Sequence, residues 1–155
     1  MIRMEDTPTG TLVSCRNADE TLPGWEVFLE NGKPGLFVSE GNGITPIRSV
    51  AKAPLKPGAW HRLQLVFDGS GSLNRLMNVW VDGADVANSG IQRTFQSDVI
   101  PSSPLRFGGR HETSPEKAHL LSGGSVWVQD LRLQDRLFTP AEVKTAAEIV
   151  AAHEA

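Results

Sequence analysis

Apolar and polar residues alternate over short stretches of this chain, and a turn follows each stretch. In the clearest case, residues 60–68, Leu63, Leu65 and Phe67 fall on one face and Arg62 and Gln64 on the other. A period of two is the pattern of a β-strand with one buried face. The chain is therefore predicted to be built mainly from strands.

Turn residues divide the chain at short, regular intervals. The dipeptides Asn31-Gly32 and Asp82-Gly83 each lie between two alternating stretches and predict tight type I′ hairpins. Strands spaced by about 8 to 12 residues, without helices between them, indicate an antiparallel sandwich or barrel. We predict nine strands, at 10–14, 24–30, 34–40, 47–52, 60–68, 77–81, 84–88, 105–107 and 125–134.

The last strand and the tail carry two further signals. Val126 and Val128 occupy even positions but Leu131 and Leu133 odd ones, so a β-bulge at Gln129 or Asp130 is needed if all four are buried. The segment TPAE at 139–142 is a capping box with proline at the first helical position. We therefore expect a helix at 139–152 on the surface of the sandwich.

The predicted interior follows from the same alternation. It comprises Leu63, Leu65, Phe67, Val79, Val81, Phe107, Val128, Leu131 and Leu133.

Charge and composition exclude several classes of protein. The 155 residues carry a formal net charge of -3 with dispersed Arg and Lys, which gives no electrostatic footprint for nucleic acid. No apolar run reaches the roughly 20 residues of a spanning helix, and residues 1–10 lack the apolar core of a signal peptide. A single cysteine, Cys15, excludes an internal disulfide. We expect one domain over 1–155 and no membrane insertion.

Three segments resemble the laminin-G-like jelly rolls of the concanavalin A-like lectin and glucanase superfamily. WHRLQLVFDG at 60–69 resembles the family's W-h-h-v-a-v-t-y-d-g strand, and VWVDG at 79–83 resembles its l-Y-V-D-G hairpin. VQDLRLQDRLFTPAE at 128–142 is similar to the closing i-D-d-V-r-i-y-n-R-a-L-s-p-a-E. The resemblance implies an all-β, antiparallel two-sheet jelly-roll sandwich with one C-terminal helix.

The resemblance also implies a setting. The chain is most similar to lectin-like modules of large secreted bacterial proteins, which implies an extracellular or periplasmic location and neighbouring domains as partners. Residues 2–4 look like the end of the family's entry strand, so we expect a domain of a longer multi-domain protein. Many such domains hold calcium at the rim of the sandwich. The sequence requires no cofactor and places no calcium ligands.

The carboxylates and nucleophiles needed for catalysis are missing from the pattern. Neither strand motif of glucanases on this fold, E-x-D-x-E or E-x-D-x-x-E, occurs here. Glu26 and Glu30 lie about 13 Å apart along a strand, beyond the usual separations of catalytic carboxylates. We interpret both as solvated charges. There is no G-x-S-x-G motif. His61 is expected to be a hydrogen-bonded core histidine, and the spacing of His111, Glu112 and His119 matches no zinc site. The sequence therefore predicts no enzyme.

One outer sheet face combines aromatic and hydrogen-bonding side chains. Alternation places these residues away from the interior: Trp80, Trp127, Arg62, Gln64, Arg106, Arg132 and Gln134. Sugars bind to such sets, because an indole packs on the C–H face of a pyranose while Arg and Gln bond its hydroxyls. A preceding segment or a neighbouring domain could equally cover the two tryptophans. Two hypotheses follow: a non-catalytic carbohydrate-binding module with a glycan as partner, or a structural or protein-interaction domain without a small ligand.

Overall fold

The computed structural model describes residues 1–42, 44–68, 77–87, 99–101, 103–111 and 118–134. This part of the chain is all β. Its strands are β1 (Ile2–Met4), β2 (Gly10–Cys15), β3 (Gly24–Glu30), β4 (Lys33–Ser39), β5 (Ile47–Val50), β6 (Trp60–His61), β7 (Leu63–Phe67), β8 (Met77–Val81), β9 (Ala84–Asp85), β10 (Arg106–Phe107) and β11 (Val126–Val128).

The first layer is a five-stranded antiparallel sheet in the order β10-β2-β3-β4-β5. Its central hairpin joins β3 to β4 at Asn31 and Gly32, whose φ angles are 50° and 72°. Positive φ at both central residues is what a type I′ turn requires. The prediction from the Asn-Gly dipeptide is confirmed.

The second layer consists of two three-stranded sheets, β11-β1-β6 and β7-β8-β9. Only Arg62 separates β6 from β7, so one extended stretch of chain belongs to both sheets. The turn between β8 and β9 has φ angles of 53° at Asp82 and 81° at Gly83. This second hairpin also matches its prediction.

The core lies between the layers, in two clusters that each draw on both. The first cluster contains Leu36, Val38 and Ile47 of the first layer with Met77 of the second. The second cluster contains Ile2, Met4, Leu29 and Leu55. Together they make the molecule a β-sandwich, as the sequence predicted.

The predicted interior is correct for the central strands and wrong at the edges. Val79 is fully buried, while Leu63, Leu65, Phe67 and Val81 are half-buried against a core cluster or within its sheet. Four predicted core residues are instead exposed: Phe107 by 65%, Val128 by 51%, Leu131 by 44% and Leu133 by 57%.

The position of the edge strands explains the error. β10 and β11 end their sheets in the described structure, so Phe107 and Val128 have a strand on one side only. Alternation shows which residues share a face, but it does not show where a sheet ends.

The chain breaks its extended conformation at Asp130, as predicted, but the described residues show no strand continuing beyond it as a β-bulge would require. β11 stops at Val128, and Asp130 follows with a φ of 53°, which turns the chain out of the extended conformation. The register shift that the structure does contain lies between Thr11 and Val13, where β2 pairs with β3.

The predicted helix at 139–152 lies outside the described residues. Within them, no helix has the length and apolar character needed to cross a membrane.

Candidate functional site

An outer face of the second layer carries three of the four tryptophans. In β1, Arg3 lies opposite Trp127 of β11 on one side and opposite Trp60 of β6 on the other. Further along, Gln64 of β7 lies opposite Trp80 of β8. Core-contacting residues flank four of these side chains in their strands, so the four point outward: Ile2 and Met4 beside Arg3, Leu63 and Leu65 beside Gln64, Val81 beside Trp80, and Val126 beside Trp127. Trp60 is on the same side as Arg3, its cross-strand partner. We call this surface the tryptophan face; it consists of Arg3, Trp60, Arg62, Gln64, Trp80 and Trp127.

Trp127 is the most accessible aromatic ring of the tryptophan face. It is 43% exposed, and the Arg3 guanidinium lies 5.6 Å from its ring centroid. Arg3 also lies 3.7 Å from the Glu5 carboxylate and keeps 40% of its side chain exposed. An exposed indole beside a positioned guanidinium offers a flat apolar surface with hydrogen-bond donors at its edge.

Gln64 differs from the sequence prediction, which placed it on an exposed face. It is only 4% exposed, and neither Nε2 nor Oε1 of its amide has a hydrogen-bond partner. Trp80, its cross-strand neighbour, is half-buried. The outer side of β7 is therefore covered, because Val66, which shares that side, is also buried.

Arg62 is held by the hairpin that follows β8. Its backbone nitrogen donates to Asp82 Oδ1 at 2.8 Å, and Asp82 Oδ2 lies 2.7 Å from His61 Nδ1. The other ring nitrogen of His61 lies 3.1 Å from the Lys56 carbonyl oxygen. His61 is thus a hydrogen-bonded core histidine, as predicted, and its side chain is 13% exposed.

The remaining predicted site residues do not join the tryptophan face. Arg106 is exposed on β10 of the first layer, opposite Ser14, and therefore belongs to the other sheet. Arg132 and Gln134 are exposed and lie beyond the end of β11. These three placements were wrong because the prediction assumed that 105–107 lies in the same sheet and that the last strand extends to 134.

Arg132 nevertheless contacts a residue at the border of the tryptophan face. Its Nε donates to Asp130 Oδ1 at 2.9 Å. This hydrogen bond, together with smaller effects that include the charge of Arg62, holds the pKa of Asp130 below its ordinary value. The two arginines therefore act on the same carboxylate.

Sequence reasoning left two members of the tryptophan face out of the site. Trp60 has the same parity as Arg62 and Gln64, so its outward placement was readable from the alternation. Arg3 was not, because a strand of three residues carries too little pattern to fix its pairing.

The first layer carries a second polar cluster, centred on the carboxylate of Glu26. Its Oε1 accepts from Thr11 Oγ1 at 2.5 Å and lies 2.8 Å from His119 Nδ1. Its Oε2 accepts from Arg110 Nε at 2.8 Å and from Arg16 Nη1 at 3.4 Å. The interpretation of Glu26 as a solvated charge is wrong, because its side chain is fully buried.

Two segments distant in the sequence bring these partners together. The backbone nitrogen of Arg110 donates to the Ala118 carbonyl at 2.7 Å, and that of Thr11 donates to the His119 carbonyl at 2.9 Å. His119 adopts a φ of 51°, a left-handed conformation that is uncommon for a residue with a side chain. The segments around Arg110 and His119 thus cover Glu26 on the outer side of the sheet.

Glu26 is held in its ionised form. Burial alone would raise its pKa, but the hydrogen bonds from His119 and Thr11 and the charge of Arg110 outweigh it and lower the pKa below its ordinary value. Its hydrogen-bond partners among the described residues are Thr11, His119, Arg110 and Arg16, and none of these is a carboxylate. An ionised carboxylate between guanidinium groups is suited to hold segments together and is a poor proton donor.

No calcium site can be assigned from the part of the chain that the structure describes. There, no group of three or more His, Cys, Asp or Glu side chains is arranged to hold a metal ion. His119, considered above for its spacing, is directed to Glu26.

The family follows from a comparison with known protein families. The family model described as laminin G domain matches residues 3–134. The chain belongs to the laminin G domain family. This confirms the resemblance inferred from the three strand motifs and accounts for the two-layer sandwich. No curated protein matches the sequence of this laminin G domain.

Two solved structures are similar to the laminin G domain. One is the native heptameric SAP-like pentraxin from Limulus polyphemus, with 18% identity and a TM-score of 0.53 over 94% of this chain and 66% of that chain. The other is residues 221–444 of an S-layer domain-containing protein from Clostridium thermocellum, with 19% identity and a TM-score of 0.42 over 82% of this chain and 57% of that chain. The chain therefore spans less than two thirds of the length of either. At this identity the pentraxin supports the fold alone.

Proposed function

We propose that this laminin G domain is a non-catalytic carbohydrate-binding domain and that it binds glycans on the tryptophan face. The observation that carries the proposal is the pair formed by Trp127 and Arg3 on an outer sheet surface. Because Trp127 is 43% exposed, part of its apolar surface stays in water, and the domain lacks the stabilisation that burial of this surface would give. A pyranose would recover that burial by stacking on the indole.

The other members of the face extend the surface along the second layer. Trp60 lies across β1 from Trp127, and Trp80 lies further along β7 and β8. Residues 60 and 64 are four positions apart on one extended stretch, a distance of about 13 Å. This spacing suits an oligosaccharide of more than one ring better than a single sugar. Membership in the laminin G family supports an extracellular setting for such a partner.

The polar groups available favour binding over hydrolysis. Glycoside hydrolysis needs two carboxyl groups about 5 to 10 Å apart. Glu26 is buried on the other sheet, where it binds Arg110. The carboxylates described beside the tryptophan face are each paired: Glu5 with Arg3, Asp82 with His61 and Asp130 with Arg132. We therefore assign no hydrolytic role to the domain.

Affinity electrophoresis through gels that contain single polysaccharides tests the proposal. The wild-type domain is expected to be retarded by at least one polysaccharide, and Trp127→Ala to migrate as in an empty gel. Phe107→Ala is the matched control, because Phe107 is an aromatic residue with 65% exposure on the other sheet. If Trp127→Ala is still retarded and Phe107→Ala is not, the glycan site lies on the first layer and the proposal is wrong.

Exposed apolar side chains on the first layer favour a second candidate function, protein interaction. Leu105, Phe107 and Leu120 are exposed by 43%, 65% and 52%. A built Cβ on Gly109 would lie 3.0 Å from Leu120, so Leu120 lies close to the end of β10. Such side chains at a sheet edge suit contact with another protein, for example a neighbouring domain. If no glycan is retained, this role becomes the better account.

A further inference from the structure

Gln64 is a polar side chain that the fold buries without a partner. Both Nε2 and Oε1 of its amide are inaccessible and form no hydrogen bond, and the residue is 4% exposed. In the described part of the chain it is the one side chain with two such atoms. A buried amide without partners is destabilising unless another molecule supplies the missing hydrogen bonds.

The position of Gln64 connects it with the tryptophan face. It lies on the side of β7 opposite Leu63 and Leu65, which contact the core clusters. Its direct cross-strand neighbour is Trp80, and both residues point outward from the same sheet. The unpartnered amide therefore stands beside an indole, at the end of the tryptophan face away from Trp127.

We infer that Gln64 and Trp80 form a specificity subsite for a neutral pyranose with two adjacent hydroxyl groups. The inference rests on the proposed function and deepens it. In the primary amide, Oε1 accepts and Nε2 donates side by side. Two adjacent hydroxyls match this pair, since one donates to Oε1 while its neighbour accepts from Nε2. The Trp80 indole supplies the apolar surface for the C–H face of the same ring.

Burial of the amide adds a requirement for binding. Because the Gln64 amide is buried, a sugar must first displace the group that covers it. The half-buried Trp80 is its cross-strand neighbour on this face. Binding at this subsite therefore changes the environment of Trp80. A ligand that lacks the adjacent hydroxyls would displace the covering group without forming hydrogen bonds to the amide. It would therefore bind more weakly than a ligand that has them, and the site would discriminate between the two.

The test compares two neutral polysaccharides by affinity electrophoresis. In a 1,4-linked mannan the hydroxyls at carbons 2 and 3 of each chain residue are adjacent and free. In a long 1,3-linked glucan the chain residues carry no adjacent free pair. The wild-type domain is expected to bind the mannan about tenfold more tightly. Gln64→Leu is expected to lose that preference. Its unfolding midpoint should be unchanged or higher, because the variant no longer buries an amide without hydrogen-bond partners.

Two controls keep the outcomes separate. Ser49→Ala removes another buried unpartnered polar atom, on the first layer, and should leave mannan binding unchanged. A 1,3-linked mannan keeps the mannose ring, but its chain residues carry no adjacent pair of free hydroxyls, and its binding to the wild-type domain should fall to the level of the 1,3-linked glucan. This second control does not depend on the folding of a variant.

The inference is overturned if both polysaccharides bind equally or if Gln64→Leu keeps the preference for mannan. In that case Gln64 does not take part in glycan recognition. The proposed function still stands if Trp127→Ala abolishes binding of both polysaccharides. If the wild-type domain binds neither these nor any other glycan, the inference and the proposed function fail together.

Discussion

The Glu26 carboxylate accepts a hydrogen bond of 2.8 Å from the Arg110 guanidinium, although 84 residues separate the two in the chain. Glu26 lies in the middle strand of the first layer, and Arg110 follows the edge strand β10. The ion pair therefore holds the segment that follows β10 against the outer side of the sheet. Arg16, which is also buried, binds the same carboxylate oxygen.

We predict that Glu26→Gln destabilises the domain by about 3–5 kcal/mol, because the buried Arg16 then keeps only its 3.8 Å contact with the exposed Glu20 carboxylate. Denaturant unfolding of the variant and the wild type measures the difference. Glu30→Gln is the control from the same strand: Glu30 and its partner Arg48 are 44% and 47% exposed, so its loss should cost less than about 1 kcal/mol. Equal costs for the two variants would show that the buried cluster adds no more stability than the exposed ion pair of Glu30.

The same carboxylate predicts a loss of stability in acid. Its pKa is lowered in the folded domain, so the folded state binds this proton less readily than the unfolded state does. The resulting stability is fully present above the ordinary glutamate pKa of about 4.3 and is lost as the pH falls through the lower folded value. Unfolding midpoints measured from about pH 7 down to about pH 3 should fall less steeply for Glu26→Gln than for the wild type. Parallel curves would contradict this prediction.

A third prediction concerns the turn that holds Arg62. The Asp82 carboxylate accepts from the Arg62 backbone nitrogen and contacts His61 Nδ1, and Asp82 has a φ of 53°. Asp82→Ala loses both contacts and strains the turn, so it should cost about 1–3 kcal/mol. Asp82→Asn keeps a side-chain oxygen and tolerates positive φ, so thermal unfolding should place it closer to the wild type. An alanine variant as stable as the asparagine variant would show that the carboxylate contacts are dispensable.

Gly35 is predicted to be required for the packing of Phe28. A Cβ built on Gly35 collides with the ring of Phe28, its cross-strand neighbour, which is 2% exposed. Gly35→Ala should therefore cost about 1–3 kcal/mol in denaturant unfolding. The cost should shrink when Phe28→Leu is already present, because the ring that collides is then gone. A cost that does not change in the double variant would place the strain elsewhere.

The sequence was sufficient for the strands that alternate strictly and for the turns with Asn-Gly and Asp-Gly. In β3, alternation places Trp25 and Glu26 on opposite sides of the sheet, and Trp25 contacts the core. It could not show that Glu26 is buried, because both sides of this sheet are covered. The residues that cover Glu26 include Arg110 and His119, which lie 84 and 93 residues away from it in the sequence.

Only the part of the candidate site that depends on alternation within single strands was predictable from the sequence. Trp80, Trp127 and Arg62 follow from alternation within their strands. Arg106 did not join them, because local pattern does not say which sheet a short strand enters. The burial of Gln64 also depends on what covers β7 and not on β7 itself.

The most direct test of glycan binding at the tryptophan face is a titration followed by the NMR signals of the four indole N–H groups. Trp60, Trp80 and Trp127 lie on the tryptophan face, whereas Trp25 packs against the core and serves as the internal control. With a polysaccharide fragment that retards the domain in gels, the Trp127 signal and at least one of those from Trp60 and Trp80 should shift, while the Trp25 signal stays in place. A titration in which the three outer signals stay unchanged while the glycan binds would contradict the account.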